Sequence, residues 1–202
     1  MSFINLIPPK KATGRLNKIY KRVQAPDGQV DNVLQVHSLR PHTLEGHMSI
    51  YKAVLHHSRN QLPEWYMEAV GVLVSRLNGC NYCVGHHTVG LRRLLKSEAK
   101  DHAAYITALH RQVPAEPFTA REQLGLAYAC KLTQTPGQIA ATDINALREA
   151  GFEDGEILEL NQVAAYFAYA NRTVSGLGVN LEGEVLGQSP ATGVDDAGWS
   201  HG

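Results

Sequence analysis

Residues 68–95 read EAVGVLVSRLNGCNYCVGHHTVGLRRLL, and two helices meet within them at Asn78-Gly79. Val70, Val72, Leu73, Val74 and Leu77 make the first helix apolar almost all round, the mark of a buried central helix. Gly79 suits its end, because glycine adopts the positive φ that helix termination favours. The second helix is expected to begin near Cys80 and run to about Lys96, with Val84, Leu91, Leu94 and Leu95 on its apolar side. On such a helix Cys80, Cys83 and His87 are three and four residues apart and share one face. The cysteines fall in its first turn, where unpaired backbone N–H groups and the helix dipole favour negative charge. A thiol that ionises near ~8.5 elsewhere is driven lower by a helix N-terminus, a C-x-x-C partner or an imidazole. An imidazole is also the side chain suited to take that proton near neutral pH, and His87 is placed to do so.

Glu68 stands out in the same stretch for the opposite reason. A carboxylate in the most apolar helix of a chain is expensive without a partner. Either it lies on the helix's one exposed edge, or it faces the thiols and holds or relays a proton. Ser75 lies about two turns on and on the same side, and Gly71 and Gly79 near that side would let helices approach closely.

Working outward, the pattern stays helical. Residues 1–12 read as an extended arm, since Pro8-Pro9 blocks helix and Phe3, Ile4, Leu6 and Ile7 suit docking. A helix over about 15–23 places Leu16, Ile19, Tyr20 and Val23 on one face. Asp31 can cap a helix that ends before Pro41, and Pro41 opens the next, to about residue 57. Pro63 and Glu64 open the central helix. A helix is expected over 97–109, and Thr119 with Glu122 forms a capping box for another over 120–132. Thr142 caps a short helix ending at Gly151, and the last long helix runs from about residue 152 towards Val174. Its Ala164, Ala165, Ala168 and Ala170 suit close approach of another backbone, within the core or between subunits. No run alternates as a strand does. The expected fold is all-α, about eight or nine helices in a single domain over residues 1–186, with an irregular tail over 187–202.

Lys and Arg together number 19, as do Asp and Glu, so the formal charge is zero. That disfavours a dedicated nucleic-acid binder, which needs clustered positive charge. No run reaches the ~18 apolar residues of a membrane span, and the N-terminal residues do not read as a secretory signal. Three cysteines, two of them in one C-x-x-C, do not make a secreted disulfide framework. A reducing, cytoplasmic setting fits, where paired cysteines are catalytic, redox-sensing or metal-binding.

Glu68, eleven residues, Cys80-Asn81-Tyr82-Cys83, three residues and His87 resemble the E-x11-C-x-x-C-x-x-x-H pattern of the alkylhydroperoxidase D-like proteins, within the carboxymuconolactone decarboxylase superfamily. The stretch 167–179, FAYANRTVSGLGV, resembles the closing helix of the superfamily's peroxidase-related branch, and with residues 34–41, LQVHSLRP, the likeness spans about 32–181. The resemblance implies an all-helical subunit that forms trimers or hexamers. It implies reduction of organic hydroperoxides by a dithiol, with no cofactor. Carried over by position, Cys83 is the attacking thiolate, Cys80 the resolving thiol, and His87 with Glu68 the proton relay. A dithiol, in relatives a lipoylated protein, would reduce the resulting disulfide. Some relatives carry a second histidine between the cysteines where this chain has Tyr82, which cannot act as a base at neutral pH. His86 falls about 100° round the helix from His87 and reads as a flanking residue.

Other readings of the same residues are a zinc site on Cys80, Cys83 and His87, non-redox decarboxylase-like chemistry, and a non-catalytic oligomer. Zinc usually takes two paired ligand sets, and no second pair follows. The cysteine pair has no purpose in decarboxylase chemistry. Cys130 stands alone on an apolar face and reads as core packing. Histidines 37, 42, 47, 56 and 57 cluster ahead of the site and need no function, although one of them could line a pocket.

Overall fold

The computed structural model describes residues 2–25, 27–111 and 115–187. Among these residues the protein is all-helical: α1 (Gly14–Val23), α2 (Asn32–Gln35), α3 (Pro41–Leu55), α4 (Glu64–Leu77), α5 (Asn81–Ser97), α6 (His102–His110), α7 (Ala120–Gln134), α8 (Ala141–Glu149) and α9 (Asp154–Gly176). Short 3-10 turns cover Pro9–Lys11 and Pro136–Gln138. The tail expected over 187–202 lies outside the described residues apart from Gly187.

Helix α4 is the axis of the fold, packed against α5, α6, α7 and α9. Every residue from Trp65 to Ser75 is buried, as its apolar circumference requires. It meets α9 at Gly71, where a Cβ would come within 2.2 Å of the Phe167 ring. In α9, Ala164 and Ala170 are buried while Ala165 faces outward. The small-residue run therefore serves the core of the subunit at two of its four positions.

Three helix starts differ from the sequence reading. Asp31 precedes α2, but its side chain makes no capping bond and α2 is a single turn. The helix expected from residue 97 begins at His102, with Asp101 Oδ1 accepting from the backbone N–H groups of Ala103 and Ala104. Ala99 takes a positive φ of 56° just before it. Helix α8 starts one residue ahead of Thr142, and Asp143 accepts from the Ala140 N–H. At α6 and α8 a short acidic side chain, Asp101 or Asp143, holds the start, and sequence spacing does not rank such candidates. The capping box of Thr119 and Glu122 is present at α7 as expected.

Two extended segments close over the N-terminal end of α5. The arm docks by Phe3 N–H donating to the Leu177 carbonyl at 2.8 Å, Ile7 N–H to Ser38 Oγ, and Tyr20 hydroxyl to the Ile7 carbonyl. After α9 the chain turns back, and residues 177–187 cross α5. Glu184 ties this strap down, accepting from the Tyr82 hydroxyl at 3.0 Å and from the Asn32 N–H, while Arg93 donates to the Gly187 carbonyl. Beneath it Val36, Cys80, Tyr82, Cys83, Val174 and Val179 form a small apolar cluster separate from the main core.

Candidate active site

The turn at Asn78-Gly79 fixes both cysteines. Gly79 has φ of 68°, and Cys80 N–H donates back to the Ser75 carbonyl at 2.9 Å, closing α4. Cys80 is then the N-cap of α5, outside the helix proper, and its carbonyl accepts from Val84 N–H. Cys83 lies in the first turn. Both thiols are free and buried.

Glu68 is fully buried, which settles its placement: it does not sit on an exposed edge. Its Oε2 lies 2.8 Å from His87 Nδ1 across the α4–α5 contact. Its Oε1 is buried and has no hydrogen-bond partner among the described residues. The Phe167 ring meets His87 edge-on, with centroids 4.6 Å apart. An imidazole held at Nδ1 by a carboxylate presents Nε2 to whatever lies beyond, a pairing that fixes tautomer and ring direction.

The two thiols act as a pair. The hydrogen bond from the Cys83 thiol lowers Cys80 to about 6 against the opposing effect of burial. Cys83 is pushed well above the usual thiol range, first by that same bond and then by burial. The bond from the Cys83 thiol therefore favours ionisation at Cys80 over ionisation at Cys83. Asn171 of α9 favours the ionised form of each. Its amide is fixed by accepting from Asn78 Nδ2 and donating to Ser75 Oγ, each at 3.0 Å. Sequence reasoning missed Asn171 as a site residue. Its signal was an amide on the core face of an otherwise apolar helix, which is costly without partners.

Cys83 and His87 face one cavity of about 60 Å³, walled by Leu34, Met48, Tyr51 and Ala170. Two groups outside the motif also reach it. His47 is buried, with Nδ1 unpartnered among the described residues and Nε2 3.5 Å from the Tyr166 hydroxyl. Burial, then the neighbouring His37, lowers His47 to about 3, so it is a neutral ring. Asp31 is raised to about 6, chiefly by burial. Of the histidines ahead of the motif, His47 is the one that lines this pocket.

Tyr82 and His86 serve the strap. The Tyr82 hydroxyl accepts from Val33 N–H at 3.2 Å as it donates to Glu184, and His86 Nε2 lies 3.2 Å from Glu184 Oε2. Burial holds the Tyr82 phenol well above its ordinary range. Cys130 lies on α7 against the main core, half-buried, and burial raises its thiol. Among the described residues no three or more His, Cys, Asp or Glu side chains are grouped to hold a metal ion, and no helix is long and apolar enough to cross a membrane.

Fold and site define a class: an all-helical protein with a buried dithiol at a helix start, beside a carboxylate-bound histidine. Comparisons agree. A peroxidase-related protein from Ralstonia eutropha with an alkylhydroperoxidase core superposes with a TM-score of 0.77 at 23% identity, over 92% of this chain and 97% of that one. A peroxidase-related protein from a Silicibacter species gives 0.70 at 26% identity, over 87% and 86%. A debrominase variant in complex with 2,3,4-tribromopyrrole gives 0.66 at 15% identity, over 91% and 95%. No protein-family sequence profile and no curated protein matches the chain. The chain shares the all-helical fold of these peroxidase-related proteins and of the alkylhydroperoxidase core.

Proposed function

We propose that the protein is a thiol peroxidase that reduces organic hydroperoxides through Cys83 and Cys80. The observation that carries this reading is the shared cavity of Cys83 and His87, with His87 held from behind by the buried Glu68. The proton on Cys83 passes to its partner Cys80, and the Cys83 thiolate attacks the terminal oxygen of the hydroperoxide. The O–O bond breaks, and the departing alkoxide takes a proton from His87, which Glu68 stabilises while it is charged. Cys83 is left as a sulfenic acid. The Cys80 sulfur then attacks it, water leaves, and a disulfide forms. An external dithiol returns both cysteines to thiols by exchange and is itself oxidised to a disulfide. The resemblance suggests a lipoylated protein as that dithiol, and a trimer or hexamer as the working assembly.

The small cavity, far below the ~300 Å³ of an ordinary ligand pocket, suits the peroxide end of a substrate more than a whole bulky molecule. The test is thiol titration. Reduced protein treated with one equivalent of cumene hydroperoxide should lose two thiols per chain, and Cys83→Ser should lose none. A titre unchanged by several hydroperoxides refutes the proposal. Because the fold also houses a debrominase, a halogenated pyrrole belongs in the panel as the alternative electrophile.

A further inference from the structure

The two sulfurs open on different sides of the protein. Cys83 faces the inner cavity with His87, and Cys80 is not part of that wall. Cys80 instead lines a second cleft of about 380 Å³, bounded by Gly79 and Asn81 on one side and, on the other, by Val174 in the last turn of α9 and Gly178 and Leu181 beyond it. Tyr82 contributes to both spaces and stands between them. Its hydroxyl is held by Val33 and Glu184, so the partition is fixed.

From this arrangement we infer that the two halves of the cycle use opposite faces: the peroxide reaches Cys83 from the inner cavity, and the reductant attacks the disulfide at Cys80 through the outer cleft. The inference rests on the thiol-peroxidase reading and deepens it. The incoming thiolate bonds to the Cys80 sulfur, the Cys80–Cys83 bond breaks, and its electron pair leaves on Cys83. A mixed disulfide remains on Cys80. The reductant's second thiol, deprotonated, then attacks its own sulfur in that mixed disulfide, closing the reductant to a disulfide and freeing Cys80 as a thiolate. Cys83 thus emerges as the nucleophile, already facing the next peroxide.

Leaving-group ability alone argues the other way, since the better thiolate departs faster and Cys80 is the better thiolate of the pair. Access decides against it. The inner cavity, about 60 Å³, takes the end group of a molecule, whereas the outer cleft, about 380 Å³, has length for a reductant that must bring two sulfurs to Cys80. A cleft of that size, roughly that of a small-ligand pocket, admits a slender dithiol and excludes a folded protein surface bearing its own cysteine pair.

The test starts from disulfide made with diamide, so it runs whether or not any peroxide reacts. Oxidised protein is treated with 2-mercaptoethanol in the presence of N-ethylmaleimide, and the modified residues are located by tandem mass spectrometry. Mercaptoethanol should be found on Cys80 and maleimide on Cys83. Asn81→Trp, an exposed residue at the cleft rim, should slow reduction by dithiothreitol at least tenfold and leave oxidation by cumene hydroperoxide within about twofold of wild type. The reverse labelling, an even mixture, or unchanged reduction in Asn81→Trp overturns the inference while leaving the peroxidase reading standing. If diamide makes no Cys80–Cys83 disulfide, both fall together.

Discussion

Cys83→Ala isolates the interaction that sets the chemistry of the pair. In the reduced protein the Cys83 thiol donates to the Cys80 sulfur, and this bond is the largest cause of the fall of Cys80 to about 6. At pH 7 such a thiol is about 90% ionised, whereas one ionising near ~8.5 is only about 3% ionised. Without the donor, burial becomes the strongest influence on Cys80, and burial raises it. The variant should therefore lose up to about thirtyfold in thiolate at pH 7, the limit reached if Cys80 returns to the ordinary thiol value. Thiolate absorbance near 240 nm, followed against pH, reads this directly even for buried sulfurs. Wild-type protein should show one ionisation near pH 6, with Cys83 and Cys130 ionising only above the ordinary thiol range, because both are raised. In Cys83→Ala the low step should vanish and reappear closer to the ordinary thiol range. Two coincident steps near the ordinary value in wild type would refute the shared-proton picture. So would a step near pH 6 that survives in Cys83→Ala, since something other than the partner thiol would then hold the charge.

Glu68→Gln keeps the shape of the buried side chain and removes the charge facing His87; hydroperoxide-driven thiol loss should slow by about a hundredfold, read by stopped-flow fluorescence or thiol titre. Gly71→Ala drives a methyl into the Phe167 ring, which is fully buried and rests against His87. Overpacking of this kind costs about 1–3 kcal/mol, so Tm should fall by roughly 3–10 °C in calorimetry, with thiol reactivity falling as well. Asp31→Asn should remove a pH-dependent weakness. With the folded carboxyl raised to about 6 by burial, and by Glu184 against the opposing pull of His86, the native state binds the proton more tightly than the unfolded chain between about pH 4 and 6. Wild-type stability therefore falls as pH rises through that window. The variant should melt a few degrees higher at pH 7 and lose that advantage near pH 4; a gap independent of pH would show that Asp31 is not the titrating group.

The central part of this architecture could be read from the chain because it depends on local rules. An apolar circumference buries α4, a glycine ends it, and three- and four-residue spacing brings Cys83 and His87 to one side. For Glu68 the pattern left two placements, an exposed edge or a face towards the thiols, and only the fold decides between them, burying it against His87. What escaped was set by the return of distant segments. Asn171 lies ninety-one residues beyond Cys80 in the sequence, Glu184 more than a hundred, and Asp31 and His47 come from the other direction. No spacing rule places these side chains against α5. They arrive because α9 crosses α4 at Gly71 and because the strap folds back over the α5 N-terminus.

Tyr82 shows why that distinction matters for function. From sequence it is the residue standing where some relatives carry a histidine, and so it reads as a missing base. In the fold its phenol is held far from ionisation by burial and is bound by Glu184 and Val33. It is therefore no proton carrier, and in the proposed cycle that burden falls on His87 and Glu68. What it contributes is position: one wall of the Cys83 cavity, one wall of the Cys80 cleft, and the anchor for the strap that covers both. In the proposed cycle a wall at this position separates the two sulfurs where a base would carry a proton between them, and the route by which each half of the cycle reaches its sulfur follows from that separation.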